Sequence, residues 1–231
     1  MGNKALIIIP AYNEAQNIEK VITDIKKNTK NFDYIIINDC STDKTKEICE
    51  TNRYNLINLP VNLGIGGCVQ TGYLYAKKSG YKYAVQFDGD GQHSAKYLEK
   101  MLEELKVNKY DMLIGSRFIT NEGFQSSGMR RLGIRLLSNL IKFFNKIEIR
   151  DVTSGYRLVN NKIIEEFCKY YPKDYPEPES LNYCLRKKYK VNEIPVLMNR
   201  RENGVSSINH IKAGYYMLKV SLAIILDNFK R

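Results

Sequence analysis

Residues 87–93 read Phe-Asp-Gly-Asp-Gly-Gln-His. Two carboxylates separated by one glycine repel each other in a bare turn, and an oxygen-liganded divalent cation removes that repulsion. Gly89 and Gly91 permit the tight turn that lets Asp88 and Asp90 face one ion. Mg²⁺ or Mn²⁺ suits oxygen ligands and bridges a diphosphate, so the chemistry this spacing suggests is neutralisation of a departing diphosphate. A plain Asp/Gly surface turn carries the same letters, and the meaning of the motif therefore depends on its neighbours.

The elements that would position the turn alternate in type. Residues 5–9 (ALIII) form an apolar strand pattern ended by Pro10, and residues 17–27 place Ile18, Val21, Ile22 and Ile25 on one helical face. Residues 34–37 make a second strand, after which Ser41 or Thr42 is positioned to cap a helix running to Asn52. A third strand at 56–59 leads through the glycine-rich 62–67 into a helix to Ser79. A fourth strand at 83–87 stops at Asp88, a helix follows through Leu98, Met101, Leu102 and Leu105, and a fifth strand spans 112–115. Strands that are apolar throughout and alternate with helices imply an α/β fold: a mostly parallel central sheet with helices on both faces. Ligands of such sheets bind beyond the carboxyl ends of the strands. Those ends carry Tyr12, Asn13 and Glu14, then Asn38 and Asp39, then Asp88 and Asp90, then Ser116 and Arg117.

The second half differs in charge. Residues 1–127 hold 16 Lys+Arg against 15 Asp+Glu, and residues 128–231 hold 20 against 10, so a net +10 of the total +11 lies after residue 127. Such a face attracts nucleic acid, an anionic membrane or a phosphorylated substrate, or is simply a solvated lysine-rich surface. No helix-turn-helix, RNA-binding or zinc pattern accompanies the charge, so nucleic acid is not an expected partner. Residues 128–149 read as a long amphipathic helix in which Leu132, Leu136, Leu140, Phe143 and Phe144 interleave with Arg130, Arg131, Arg135, Lys142 and Lys146. Near the C-terminus Ile208, Ile211, Tyr215, Leu218, Leu222, Ile225 and Phe229 recur at spacings of three and four, a seam suited to helix pairing, to the domain's own core, to a second copy or to a lipid surface. Lys219 and Asp227 interrupt it, and it falls short of the roughly 20 apolar residues a membrane span requires. The five cysteines show no metal-binding spacing and no basic-then-apolar leader opens the chain, which together suit a reducing cytoplasm. At 231 residues the chain suits one domain, 1–231, with no internal repeat.

Taken together, Pro10 to Glu14 (PAYNE), Asn38 to Asp43 (NDCSTD), Asn62 to Gly64 with Gly66 and Gly67, and the turn at Asp88 to Gln92 resemble the inverting family 2 glycosyltransferases of GT-A fold, over roughly the whole chain. The resemblance implies that Pro10, Tyr12, Glu14 and Asp39 hold the base and ribose of a nucleotide, with Asp88 at its diphosphate. It also implies that residues 1–127 form the nucleotide-sugar half and 128–231 the acceptor half. The second-strand motif of the family has two aspartates; here Asn38 replaces the first.

Within that family the sequence is similar to the polyprenyl phosphate glycosyltransferases, the dolichyl phosphate mannose synthase-like group. Gln92 matches a third metal ligand beside Asp88 and Asp90, with Mg²⁺ or Mn²⁺ as the implied ion. Gly115-Ser116-Arg117, with Arg130 and Arg131, matches the site of the lipid phosphate. Asp151 to Arg157 (DVTSGYR) and Arg201 to Ser206 (RENGVS) match signatures near the sugar and diphosphate, which assigns Arg201 and Ser206 there. The catalytic set so implied is Asp88, Asp90, Arg117 and Asp151. A phosphate monoester is already ionised near neutral pH and attacks an anomeric carbon without a general base, whereas it requires cations to hold it, and Arg117 and Arg131 offer suitable forks.

The expected activity is transfer of a hexose from a UDP- or GDP-sugar to a polyprenyl phosphate, such as undecaprenyl phosphate, by an enzyme peripheral to the inner face of the cell membrane. The alternative is addition of a sugar to a hydroxyl of a surface polysaccharide or glycolipid precursor, which needs a base; Glu179 in the run Pro176 to Glu179 is then the candidate. Asp151 could orient the sugar, act as that base or pair with Arg157. With no Trp in the chain the QxxRW signature of processive synthases is absent. His93 follows the turn and either contacts a phosphate or, as the preferred reading, is a polar loop histidine, and the C-terminal helix leaves room for a homo-oligomer.

Overall fold

The computed structural model describes residues 4–120, 128–200 and 210–229. Its core is a seven-stranded sheet of order β3-β2-β1-β4-β6-β5-β7. The strands are β1 (Ala5–Ala11), β2 (Phe32–Asn38), β3 (Leu56–Asn58), β4 (Tyr83–Gln86), β5 (Met112–Ser116), β6 (Arg157–Asn160) and β7 (Val191–Pro195). The helices are α1 (Ile18–Asn28), α2 (Thr45–Thr51), α3 (Gly64–Lys78), α4 (Leu98–Val107), α5 (Gly128–Asn145), α6 (Asn161–Lys169), α7 (Pro176–Arg186) and α8 (His210–Phe229).

The apolar runs are continuous because both faces of the sheet are covered. In β1, Leu6 and Ile8 enter one core layer with α3, α5, α6 and α7, while Ala5, Ile7 and Ile9 enter a second layer with α1 and α4. Leu6 to Ile9 are fully buried, and burying a side chain of that size contributes roughly 1.5–3 kcal/mol. α1 presents Ile18, Val21, Ile22 and Ile25 inward, the face read from its periodicity.

β1 does not stop at Pro10 but runs through it to Ala11, which pairs with Asn38. The Pro10 carbonyl accepts from Gly89 N on the β4 side, so the missing proline N–H also falls on that side, beyond the last residue of β4. Ser41 and Thr42 do not cap α2, which starts at Thr45 with no side-chain cap; they bind the loop after β1 instead.

β6 is the one antiparallel member of the sheet. It pairs with β4 and β5 in the opposite sense, with Arg157 against both Gln86 and Ile114. The segment entering β6 therefore arrives at the edge where β1, β2, β4 and β5 end. This reversal carries residues 151–156 to the acidic turn.

α5 ends at Asn145, short of residue 149, and its buried face is Ile134, Leu137 and Ile141. Leu132, Leu136 and Phe143 point outward. α8 behaves alike: Val220 and Ile224 are buried, while Tyr215, Leu218, Leu222, Leu226 and Phe229 are exposed. The two helices pack together, with Phe144 and Phe229 ring centroids 6.2 Å apart, and Arg186–Asp227 at 2.6 Å ties α8 to α7. Among the described residues no helix is long and apolar enough to cross a membrane.

Candidate active site

The acidic turn is held from several sides. Phe87 N donates to Ile8 O at 2.9 Å, and the chain then leaves the sheet through Gly91, whose φ of +78° is the left-handed region glycine tolerates. Asp88 Oδ1 accepts from Gln86 Nε2 at 3.0 Å, and Asp90 Oδ1 accepts from Gln92 N at 3.0 Å. Asn199, just beyond β7, clasps the turn by donating from N to Gln92 O (2.8 Å) and from Nδ2 to Gly91 O (3.2 Å). Gly155 supplies space: a Cβ there would lie 2.7 Å from Gln86 Nε2 and 3.1 Å from Asp88 Oδ2.

His93 is a loop residue, as its position suggests, and it is buried as a support of the turn. Its Nδ1 accepts from Asp88 N at 3.0 Å, which puts the ring proton on Nε2, 3.7 Å from Asp88 Oδ2. The ring stacks on Tyr156 at 4.7 Å and 16° and meets Phe87 edge-on. Tyr156 is fixed in turn by its hydroxyl, which donates to Ser94 O at 2.9 Å. With a divalent ion held by this turn, His93→Ala would raise the metal concentration for half-maximal activity by about 10–100-fold, the usual cost of losing a group that orients a ligand, read from a Mn²⁺ titration of turnover.

Asp88, Asp90 and Gln92 fit a hard cation, for they offer oxygen donors only and the Asp88 side chain is 34 % exposed toward the cleft. Among the described residues no three His, Cys, Asp or Glu side chains gather into a metal cluster. The remaining coordination of such an ion would come from diphosphate and water oxygens.

Beside the turn lie the ends of β1 and β2. Tyr12 is 49 % exposed, while Glu14 and Asp39 are buried. Asp39 Oδ1 accepts from Leu63 N at 2.7 Å, Glu14 N donates to Thr45 Oγ1 at 2.8 Å, and Glu14 Oε2 accepts from Asn17 Nδ2 at 2.6 Å. Asn13 stands at φ +57°, with its Oδ1 accepting from Thr42 N and its N donating to Ser41 Oγ. Asn38 accepts from Ser41 Oγ (2.5 Å) and donates through Nδ2 to Asn58 Oδ1 (2.9 Å). An ionised aspartate could not make the second bond, so the amide joins the ends of β2 and β3.

Across the turn, Arg117 and Asp151 form a buried pair. Arg117 Nε and Nη2 reach Asp151 Oδ2 and Oδ1 at 2.7 and 2.6 Å, and Arg117 N also donates to Oδ2 at 3.0 Å. Burial opposes the guanidinium charge, but the hydrogen bonds and charge of Asp151 outweigh it and raise the Arg117 pKa, with Asp88 adding to the effect. Asp151 thus pairs with Arg117 and not Arg157. Glu193 of β7 accepts from Arg150 N and Asp151 N, both at 2.7 Å, and fixes the segment.

Arg157 is buried and spends its donors on Ser154 O, Val152 O, Glu177 O and Ser180 Oγ, stitching the 151–155 segment to the start of α7. Of the acidic residues in 176–179, Glu177 faces this site. Gln86 hydrogen-bonds its carboxyl, burial raises its pKa, Arg157 opposes that rise and Asp88 adds to it. Glu179 sits elsewhere, in a cavity of about 210 Å³ between α7 and α8 with Tyr170 and Asp227. Sequence reasoning missed Glu177, Gln86 and Asn199. Only the repeated Glu of Pro176 to Glu179 carried a signal.

Arg117 and Arg131 guanidinium carbons lie 5.2 and 5.9 Å from the Phe118 ring centroid. Arg131 also lines a cavity of about 340 Å³ under α5. Arg201, Ser206 and the side chain of Arg130 lie outside the described residues.

The sequence pattern of glycosyl transferase family 2 matches residues 6–168. The chain is 24 % identical to a polyprenol monophosphomannose synthase of Mycolicibacterium smegmatis, over 94 % of this chain and 86 % of that protein. It is 26 % identical to a dolichyl-phosphate beta-glucosyltransferase of Trichomonas vaginalis, over 94 % of this chain and 72 % of that one. The fold matches glucosyl-3-phosphoglycerate synthase of Mycobacterium tuberculosis, solved with Mn²⁺, UDP and glucosyl-3-phosphoglycerate, with a TM-score of 0.73 at 15 % identity, covering 98 % of this chain and 80 % of that one. A GT-A sheet, a family pattern over most of its length and relatives that transfer sugars make the chain a glycosyltransferase, a member of glycosyl transferase family 2.

Proposed function

We propose that the enzyme is an inverting, metal-dependent glycosyltransferase that moves a hexose from a UDP- or GDP-sugar to a polyprenyl phosphate at a membrane surface. The observation that carries this reading is the pair Arg117 and Arg131 flanking Phe118, close enough to the acidic turn that the Asp88 charge acts on Arg117. One site thus has an acidic half for a metal-bound diphosphate and a cationic half for a phosphate. The named activities of the two relatives are of this class.

In this scheme Pro10, Tyr12, Glu14 and Asp39 hold base and ribose, while Asp88, Asp90 and Gln92 hold Mg²⁺ or Mn²⁺ at the diphosphate. When bound, the ion neutralises the leaving diphosphate. Arg201 and Ser206 complete the diphosphate and sugar contacts. A phosphate oxygen of the acceptor forms the new bond to the anomeric carbon from the face opposite the diphosphate; the old bond breaks and its electron pair leaves with the nucleoside diphosphate. Arg131 holds the acceptor phosphate, and Arg117 sets the local charge and orients Asp151 toward the sugar. The outward apolar faces of α5 and α8, with the basic residues of the second half, support attachment to the inner face of the cell membrane or pairing with a second copy.

Incubation with Mn²⁺, labelled UDP-glucose or GDP-mannose and undecaprenyl phosphate is expected to yield a lipid-extractable labelled product that EDTA prevents. Label reaching only water-soluble glycans would refute the acceptor. The hydroxyl-acceptor reading has one observation in its favour, the carboxyl of Glu177 beside Gln86 and Asp88. Loss of a general base costs about 10²–10⁴-fold, so Glu177→Gln should change kcat by less than about tenfold with a phosphate acceptor and by far more with a hydroxyl.

A further inference from the structure

Gln86 places a polar side chain where the sheet is otherwise apolar. It ends β4 in the middle of the sheet, 1 % exposed, in register with Ile8 on one side and Arg157 on the other. Ala84, two residues earlier and therefore on the same face, lies in the apolar layer under α3, α6 and α7. An amide left without hydrogen bonds in such a layer is penalised, and an apolar side chain of the same length fills the space without that penalty. The bonds of Gln86 are made, and two of them go to carboxyls. Its Nε2 donates to Asp88 Oδ1 at 3.0 Å and to the Glu177 carboxyl, while its Oε1 accepts from Tyr171 Oη at 3.4 Å. Only the NH₂ end can serve two carboxyls, so the partners decide which way the amide faces. Gly155 leaves it room, for a Cβ there would stand 2.7 Å from Nε2.

We propose that Gln86 is a positioning residue for the cation, its amide holding Asp88 in the orientation that presents Oδ2 to the metal. The inference rests on the metal reading above and goes beyond it, because it makes metal affinity depend on a side chain whose own oxygen is turned away toward Tyr171. Asp88 is then fixed at two points: His93 Nδ1 takes its main-chain N–H at 3.0 Å, and Gln86 takes Oδ1. The second oxygen is the one left to meet an ion. The charges of Asp88 and Glu177 oppose each other, and a neutral donor shared between them keeps Asp88 from swinging away. Glu177 is anchored for this part. It stands between Pro176 and Pro178 in the first turn of α7, and its main-chain carbonyl accepts from Arg157 Nη1 and Ser180 Oγ. A partner that orients a metal ligand in this way is worth about 10–100-fold in metal affinity.

The test reads binding and needs neither acceptor nor turnover. The full chain is titrated calorimetrically with UDP and with GDP, each in Mn²⁺ and in EDTA. Gln86→Met keeps the length of the side chain and removes the amide. It is expected to weaken nucleotide binding in Mn²⁺ by about 10–100-fold, the cost of a misoriented metal ligand. Affinity in EDTA should stay within about twofold, because the exchange touches no nucleotide contact. A packing defect would lower both values together, so an equal loss in Mn²⁺ and EDTA would overturn the proposal, as would unchanged affinity in Mn²⁺. Gln70→Met is the same exchange on α3, where the amide donates to Phe167 O at 3.0 Å, and should leave both affinities within about twofold. The unaltered protein judges the metal reading by itself. Equal affinity there in Mn²⁺ and EDTA would remove the ion and with it the role of Gln86, whereas a Mn²⁺ effect that survives Gln86→Met would remove the role of Gln86 alone. The methionine enters an apolar layer, so the variant should fold, which a circular dichroism melt would check. Gln86→Asn, one methylene too short to reach both carboxyls, is a second variant expected to show the same split between Mn²⁺ and EDTA.

Discussion

Asp90→Asn is expected to lower transfer by at least about a thousandfold while moving the unfolding midpoint by no more than about 2 °C. The substituted amide keeps an oxygen to accept from Gln92 N, so the turn retains its internal bond. What is lost is one of the two carboxylate charges to which the proposed function assigns the metal. The same variant should regain part of its activity as Mn²⁺ is raised, because weaker binding is countered by mass action. Full activity at micromolar Mn²⁺ would remove Asp90 from the site.

The largest effect on stability is expected at Asp151. Its carboxylate is completely buried and takes three donors from Arg117. Breaking a buried pair from one side leaves the other charge without compensation, at about 3–5 kcal/mol. Asp151→Asn should therefore lower the urea midpoint sharply with little change in slope. Arg117→Lys keeps the charge but not the planar fork, and its loss should be smaller than that of Arg117→Met, which strands the carboxylate. If Asp151→Asn cost less than about 1 kcal/mol, the pair would not be holding the segment that feeds β6.

The first half of the fold was legible because its strands are buried on both faces. Runs such as residues 5–9 and 34–37 can be little else than central strands once helical patterns flank them. β6 and β7 escaped notice for a physical reason. β6 has four residues beginning with Arg157, and β7 reads Val-Asn-Glu-Ile-Pro with only partial burial. Neither pattern announces itself without its neighbours. The acidic turn was visible as spacing, but its supports were not: His93 and Asn199 act through a ring nitrogen and a backbone amide, which leave no local signature. On α5 the apolar set read from the sequence divides: Leu132, Leu136 and Phe143 face outward, Leu140 and Phe144 pack against the core, and Ile134, Leu137 and Ile141 form the buried face. The periodic set picked out one apolar stripe, and the helix carries a second that takes up the packing. Asp151 had three open roles in the sequence, and tertiary contact with Arg117, 34 residues away, selected its partner.

The outward stripes on α5 and α8 also govern how the protein behaves in the test tube. Among the described residues, eight large apolar side chains, from Leu132 to Phe229, stand at least 48 % exposed on two adjacent helices. Contiguous apolar surface of this kind promotes sticking between molecules in plain buffer, and high salt strengthens it while shielding the repulsion of like-charged copies. Preparations concentrated without detergent should scatter light increasingly with both protein and sulfate concentration. A mild non-ionic detergent should return them to a single small species, and the choice of solubilising agent becomes a variable in every activity measurement made on this enzyme.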